Sequence, residues 1–511
     1  MKKEIAFDKK DQFVFITTVI LMIVTHGFAF TNLMYSHDSL YFYVIDGPQK
    51  VSAGRWLYPV LLQMRSIATP WTMGVLSTIF VALSAVIVSR LLEFDRVKSL
   101  CVSILFSTNI ALTALFGTYI YDGDADCLAL LMACLAVYAY ERFPQKKNRN
   151  VAMISIIMCL ALYQAYICVT IGLFIILEIK RAADAKDMKD VQETFRHGVS
   201  EIGLLFLSSI FYIITMLFFG IISGAGLTQD YNGAGNISNL SVSKVLLAIP
   251  NAYLYFAKRL IKPAAVNPPI VLLAIAALLV LIVVSLVDYI KKHRDYSGSL
   301  RIIIPGVLIL PLGLNAISLV SLGTMHQLMI YAFCLIFLLP FVFVDLNNKK
   351  DSDYKKGKTI NTVAVISIAI IGIYNFAYAN GAYTYKKLVY DNTILHAQRI
   401  WEDVNEIDGY TEGQTPVVFV GNFAESAVSY KSPVGYKYYD LLLGGFGTSI
   451  TYEESIRRYY ESILGREMVI ELGDKNAAYY SEAKDMSVYP AEGYCNLVGD
   501  TVVIKMSQFE Q

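Results

Sequence analysis

VAMISIIMCLALYQAYICVTIGLFIILE, residues 151–178, runs for 28 apolar or weakly polar residues. That length serves either one tilted bilayer crossing or two short helices folded back at Tyr163-Gln164. The choice sets the side of every later loop, and charge distinguishes the two. With the N-terminus inside and the stretch folded back, the inner segments hold 25 of the 43 Lys and Arg residues and the short outer segments 7. A single crossing would put the basic segment 180–196 outside and invert each later loop, against the tendency of cytoplasmic loops to carry the cations. The sequence therefore reads as about eleven membrane segments including a short hairpin, with the N-terminus cytoplasmic and the C-terminus outside.

Composition agrees. Of the 511 residues, 56% are hydrophobic and 17% charged, far from a soluble globular chain. Apolar runs long enough to span lie at about 12–32, 71–92, 98–118, 126–141, 202–223, 268–290, 301–320, 327–345 and 359–378. The first follows MKKEIAFDKKDQ without a small-residue cleavage site and reads as a retained helix. A net charge of +1 gives no electrostatic case for nucleic acid. The seven cysteines lie mostly inside apolar runs, without CxxC or Cys/His spacing, and read as small core residues, with Cys495 alone.

Beyond about 380 the long apolar runs stop. Tyr390, Ile394, Ala397, Trp401 and Val404 mark an amphipathic helix across about 384–406. PVVFVGN (416–422) reads as a buried strand ending at Gly421, and NLVGDTVVIKM (496–506) as two strands turned at Gly499-Asp500. The expected organisation is an all-α transmembrane part, 1–380, followed by a small extracytoplasmic α/β domain, 381–511. No Gly-rich phosphate loop follows a strand, which argues against a nucleotide-driven pump.

Ionisable groups are costly at membrane depth, so those gathered at the outer boundary are the candidates for chemistry. The acids there are Asp38, Asp46 and the trio Asp122, Asp124 and Asp126 in YIYDGDADC; the basic groups include Arg55, Arg65, Lys244, Lys258, Arg259 and Lys262, with His37 and His326. Carboxylates facing cations suit transfer from a lipid-linked phosphosugar to a hydroxyl. A carboxylate takes the acceptor proton, and the cations stabilise the departing phosphate. Plainer roles compete. Asp38 and the trio could cap helices, Arg55 could snorkel beside Trp56, Lys258, Arg259 and Lys262 could meet headgroups, and Tyr163 with Gln164 could pack the turn.

An acid soon after helix 1, GRW before helix 2, YDGDADCLALL, the LALYQAYI turn and a tail with PVVFVGN and YPAEGYCNLVGDTVVIKM, in that order, resemble the GtrII-type glucosyltransferases of the polyprenyl-phosphate-sugar-dependent GT-C class. The resemblance implies a GT-C-like fold, an undecaprenyl-phosphate glucose donor at the outer leaflet of a bacterial plasma membrane, and inverting transfer to a surface glycan such as O-antigen. It also implies a partner lipid-sugar synthase and a flippase. Carried over by position, it puts the family's essential first-loop carboxylate at Asp38, as the base, places Asp122, Asp124 and Asp126 at the acceptor or at a divalent cation such as Mg or Mn, and puts Arg55, Trp56, Tyr163, Gln164 and His326 on the donor, with Arg259 a further donor candidate from its place at the outer boundary. The chain departs from the family where paired acids are replaced by His37-Asp38, and where His326 stands in place of a basic residue, often arginine. A flippase or transporter of lipid-linked saccharides, or a scaffold displaying the outer domain, are the readings from other classes.

Overall fold

The computed structural model describes residues 7–36, 47–64, 69–143, 145–225, 241–262, 268–292, 298–321, 325–348, 354–431, 447–451, 453–471 and 478–508. His37, Asp38, Asp46 and Arg65 lie outside them. The chain opens with α1 (Lys9–Thr31), α2 (Gly47–Ser52), α3 (Tyr58–Gln63), α4 (Pro70–Leu91), α5 (Arg96–Ser107), α6 (Ile110–Thr118), α7 (Gly123–Arg142), α8 (Gln145–Leu162) and α9 (Ile167–Asp184). It continues through α10 (Met188–Ser223), α11 (Val242–Ile261), α12 (Pro269–Lys292), α13 (Leu300–Leu314), α14 (Ile317–Val320), α15 (Leu339–Asn348) and α16 (Tyr354–Asn405). Among the described residues seven helical stretches are long and apolar enough to cross a membrane. Their outward faces carry Ile16, Ile20, Ile23, Phe206, Ile214, Phe218 and Leu273, each about half exposed or more. Such rows of exposed apolar side chains suit lipid as solvent.

The 151–178 stretch is broken at Tyr163, whose backbone is extended, and a 3₁₀ turn over Gln164–Tyr166 joins α8 to α9. Each limb has 18 residues, about 27 Å of helix. Asn148 Nδ2 bonds Tyr140 O at the start of α8, Gln164 Nε2 bonds Ala53 O at the turn, and Lys180 Nζ bonds Leu92 O near the end of α9. The chain thus leaves the Arg142 end of α7, reaches the Ala53 end, and returns.

Three expected spans take a different form. The 98–118 run is interrupted at Asn109, whose side chain accepts from Ala111 N at 3.0 Å and donates to Tyr331 O at 3.1 Å; the self-cap ends one helix and starts the next. The 327–345 run begins as a 3₁₀ helix, Gln327–Leu338, before α15. The 359–378 span and the amphipathic helix expected at 384–406 are one helix, α16, of 52 residues, which runs unbroken through Asn380-Gly381; there Asn380 Nδ2 bonds Phe376 O of the preceding turn and Thr25 O of α1. The expected boundary at 380–381 therefore falls inside a helix. A fourth difference is α11, a 20-residue helix in a segment read as outer loop.

The tail holds a four-stranded sheet in the order β2-β1-β4-β3, made of β1 (Pro416–Val420), β2 (Val469–Ile470), β3 (Cys495–Val498) and β4 (Thr501–Lys505). β1 is parallel to β2 and to β4, and β3 and β4 form the expected hairpin, with Gly499 at φ +65° in its two-residue turn. Ser449 Oγ donates to Tyr35 O at 2.8 Å and Asn392 Nδ2 to Val428 O at 2.8 Å, fastening this part to the end of α1 and to α16. Ser36 Oγ in turn donates to Thr118 O at 2.8 Å. The sheet-bearing part and the α6–α7 junction share one end of the bundle.

Candidate functional site

At that junction the chain turns through a 3₁₀ helix, Ile120–Asp122, into α7. Gly123 lets the turn sit against Phe116 and Ser77, where an added Cβ would stand 3.1 Å from both. Asp122 occupies the cap position of α7, yet its side chain makes no capping hydrogen bond. The capping role expected for the trio is not what Asp122 does. Its Oδ2 meets Lys50 Nζ at 2.6 Å and Arg55 NH1 at 3.8 Å, and its Oδ1 accepts from Tyr58 OH. Burial opposes the charge on Asp122, but Lys50 and Arg55 outweigh it and hold the carboxyl below the usual carboxylate range.

The cations are held by aromatic faces as well. Lys50 Nζ lies 4.7 Å from the Tyr58 ring centre and 5.2 Å from that of Tyr121, while the Arg55 guanidinium sits 4.6 Å over Tyr163. Arg55 Nε and Trp56 Nε1 are buried donors without a hydrogen-bond partner among the described residues.

The Gly-Arg-Trp triplet divides the work three ways. Gly54 adopts φ +83°, and a Cβ there would fall 2.5 Å from Tyr212 OH and 2.9 Å from Gln164 Nε2. Those two groups close the turn: Gln164 Nε2 donates to Ala53 O at 3.1 Å, and Tyr212 OH to Gly54 O at 3.1 Å. Arg55 then points to Asp122, and Trp56 stacks flat on Phe219 of α10 at 4.6 Å, packing rather than facing the acids. Gln164 thus holds the Arg55 turn, a positioning task.

Asp124 and Asp126 are also buried, at 5% and 4% exposure. Asp124 Oδ1 accepts from Ala125 N at 2.8 Å; Asp126, one turn beyond Asp122 on the same face of α7, acts electrostatically on Arg55 and Lys50. The three acids do not converge as a metal-ligand set among the described residues, and Lys50 Nζ takes the place beside Asp122 that a divalent ion would need.

His326 and Arg259 stand on a neighbouring wall. His326 precedes the 3₁₀ helix Gln327–Leu338, whose Tyr331 packs edge-on to Tyr166 at 5.5 Å and whose Phe333 meets Phe256 of α11 at 4.6 Å. Arg259 lies three residues beyond Phe256, 5.7 Å over Tyr255. Burial lowers the imidazole of His326 below its ordinary value, so at neutral pH it is an uncharged hydrogen-bonding group. The sequence reading did not single out Lys50, Tyr58, Tyr121 or Tyr212. Lys50 had a signal, as the one charge between Gly47 and Gly54; the tyrosines had none.

Comparison with known proteins gives one family. Residues 27–343 match the family model described as Glucosyl transferase GtrII, which takes in every residue of the cluster and stops before α16 and the sheet. No curated protein and no solved structure matches.

Proposed function

The chain belongs to the GtrII glucosyl transferase family, and from that premise we propose that it transfers glucose from a polyprenyl phosphate to a hydroxyl of a bacterial surface glycan, inverting the anomeric centre, at the outer face of the plasma membrane. The observation that carries this reading is the convergence of Lys50 and Arg55 on Asp122 at one end of a bundle of apolar helices. Two cations held by one buried carboxylate are preorganised for a phosphate, and Arg55 keeps a donor, Nε, unused. Both remain partly open, with side chains 18% and 24% exposed.

In this reading the acceptor oxygen attacks the anomeric carbon and the bond from that carbon to the phosphate oxygen breaks. The phosphate leaves with its lipid and gathers negative charge, which Lys50 and Arg55 stabilise, while Asp38 takes the acceptor proton. Asp122 is ionised and fully engaged, so its task is to orient the two cations. Asp38 follows Ser36 by two residues in sequence, and Ser36 is tied to Thr118 beside the cluster. Asp124 and Asp126 are assigned to the acceptor side, and His326 and Arg259 to the lipid end of the donor. A transporter reading draws no support from the family.

Membranes bearing the protein, supplied with polyprenyl-phosphate glucose and a glycan acceptor, are expected to release polyprenyl phosphate. Asp38→Asn should reduce release by about 100-fold or more. Undiminished release would remove Asp38 from the mechanism, and no release with any acceptor would remove transfer itself.

A further inference from the structure

A second buried group of titratable side chains sits at the opposite end of α7, about 28 Å from Asp122 along the helix axis. Glu141 comes from α7, Glu178 and Arg181 from α9, and His197 and Glu201 from one face of α10. His197 Nε2 lies 3.9 Å from Glu141 Oε1, and its Nδ1 lies 2.8 Å from Glu178 Oε1 and 3.4 Å from Glu201 Oε1. Arg181 NH2 meets Glu141 Oε2 at 2.6 Å, while its NH1 contacts Glu178 and approaches His197 Nδ1 at 2.5 Å.

Two buried oxygens in this group, Glu141 Oε1 and Glu201 Oε1, make no well-formed hydrogen bond among the described residues and have only the ion-pair approach of His197, at 3.9 and 3.4 Å. The Glu201 side chain is only 5% exposed. Three carboxylates face one guanidinium and one imidazole, so even with His197 charged one negative charge is left uncompensated within the group. Unpaired buried charge is expensive, and a divalent cation would cancel it. One ligand atom from each of Glu141, His197 and Glu201 already lies within 4.8 Å of the other two. Around an ion bound at about 2.1 Å, ligand atoms stand roughly 3.4 Å apart, so a small side-chain closure completes the set.

We propose that Glu141, His197 and Glu201 bind one divalent transition-metal cation. Two carboxylate oxygens and one imidazole nitrogen suit manganese, iron or zinc better than magnesium or calcium. Glu178 accepts the Nδ1 proton and turns Nε2 toward Glu141, while Arg181 steadies the other oxygen of Glu141, as outer-shell partners of metal ligands do. The cation pins α7 to α10, the helix whose Tyr212 and Phe219 hold the Arg55 turn. The proposal does not depend on what is transferred at the other end.

The test uses the full chain in detergent, stripped with chelator, dialysed, and titrated separately with Mn²⁺ and Zn²⁺. Bound metal is counted by mass spectrometry, Mn²⁺ is followed by paramagnetic resonance, and thermal unfolding is recorded. One equivalent should bind and raise the Tm. Glu201→Gln and His197→Ala should each weaken binding at least tenfold, and Glu178→Gln by about tenfold. Only trace metal in the wild type with no change in Tm would overturn the site, as would variants that bind as tightly as wild type. A Glu201→Gln variant that raises the Tm of a wild type binding no metal would also overturn it, in favour of a shared proton.

Discussion

At Asp122 one carboxylate serves Lys50, Arg55 and Tyr58 together, and each loss has a different expected result. Asp122→Asn strands a buried ammonium, so it should destabilise the protein by about 3–5 kcal/mol. Adding Lys50→Met should restore most of that stability, because an apolar pair can replace a buried ion pair at little cost. Transfer should stay lost in the double variant, and thermal unfolding beside a release assay separates the two. Arg55→Lys keeps the charge but gives up the planar fork and the stack on Tyr163. It should raise the donor KM by about tenfold with the Tm nearly unchanged, the equivalent of about 1.4 kcal/mol of lost binding. Gly54, Arg55, Trp56, Tyr163 and Gln164 were legible in the sequence as polar or aromatic interruptions of apolar runs. Tyr58 and Tyr212 were not, since their partners lie 64 and 158 residues away and no local pattern records such contacts.

Among the elements, the return of α9 to the Arg142 end depends on cations that find acids there. Glu93, at the turn after α4, accepts from Lys180 Nζ at 2.7 Å and from Arg142 NH2 at 2.9 Å. The Lys180 contact, helped by Arg142 and opposed by burial, lowers its carboxyl from 4.5 to about 2. A depressed carboxylate stabilises the fold above its unfolded value and loses that contribution as pH falls through its folded value. The Tm advantage of wild type over Glu93→Gln should therefore be full above about pH 5 and vanish by about pH 2. The side chain is 56% exposed, so the advantage should be small. Charge counting could read this hairpin because the cations that favour one membrane side are the ones making these contacts. It could not read α11, where Pro250 and the terminal Lys258 and Arg259 interrupt an apolar pattern that still folds as helix.

Across the whole molecule, composition pointed to a membrane protein, and short apolar runs closed by Gly421 and by Gly499-Asp500 were enough to place β1 and the β3–β4 hairpin. The two-residue β2 was too short to leave a pattern. The division expected at 380–381 falls inside α16, which carries an apolar stretch and an amphipathic one without a break. The family match ends at 343, before α16 and the sheet-bearing part. That part rests on the site's end of the bundle through Ser449, which is fully buried. A bulky wedge, Ser449→Trp, should lower transfer to a polymeric acceptor by about tenfold, the loss that a misplaced acceptor brings. Release of polyprenyl phosphate to a short acceptor should change less, and equal losses would deny the tail a part in guiding polymer. The 3₁₀ helix from Gln327 to Leu338 adds a mechanical scale to this layout. Its 12 residues advance about 2.0 Å each, against 1.5 Å in an α-helix. Rewinding it to α pitch would draw His326 about 6 Å toward α15 and swing it through roughly two-thirds of a turn. The 3₁₀ pitch of this one segment therefore fixes both how far His326 stands from α15 and which way it faces.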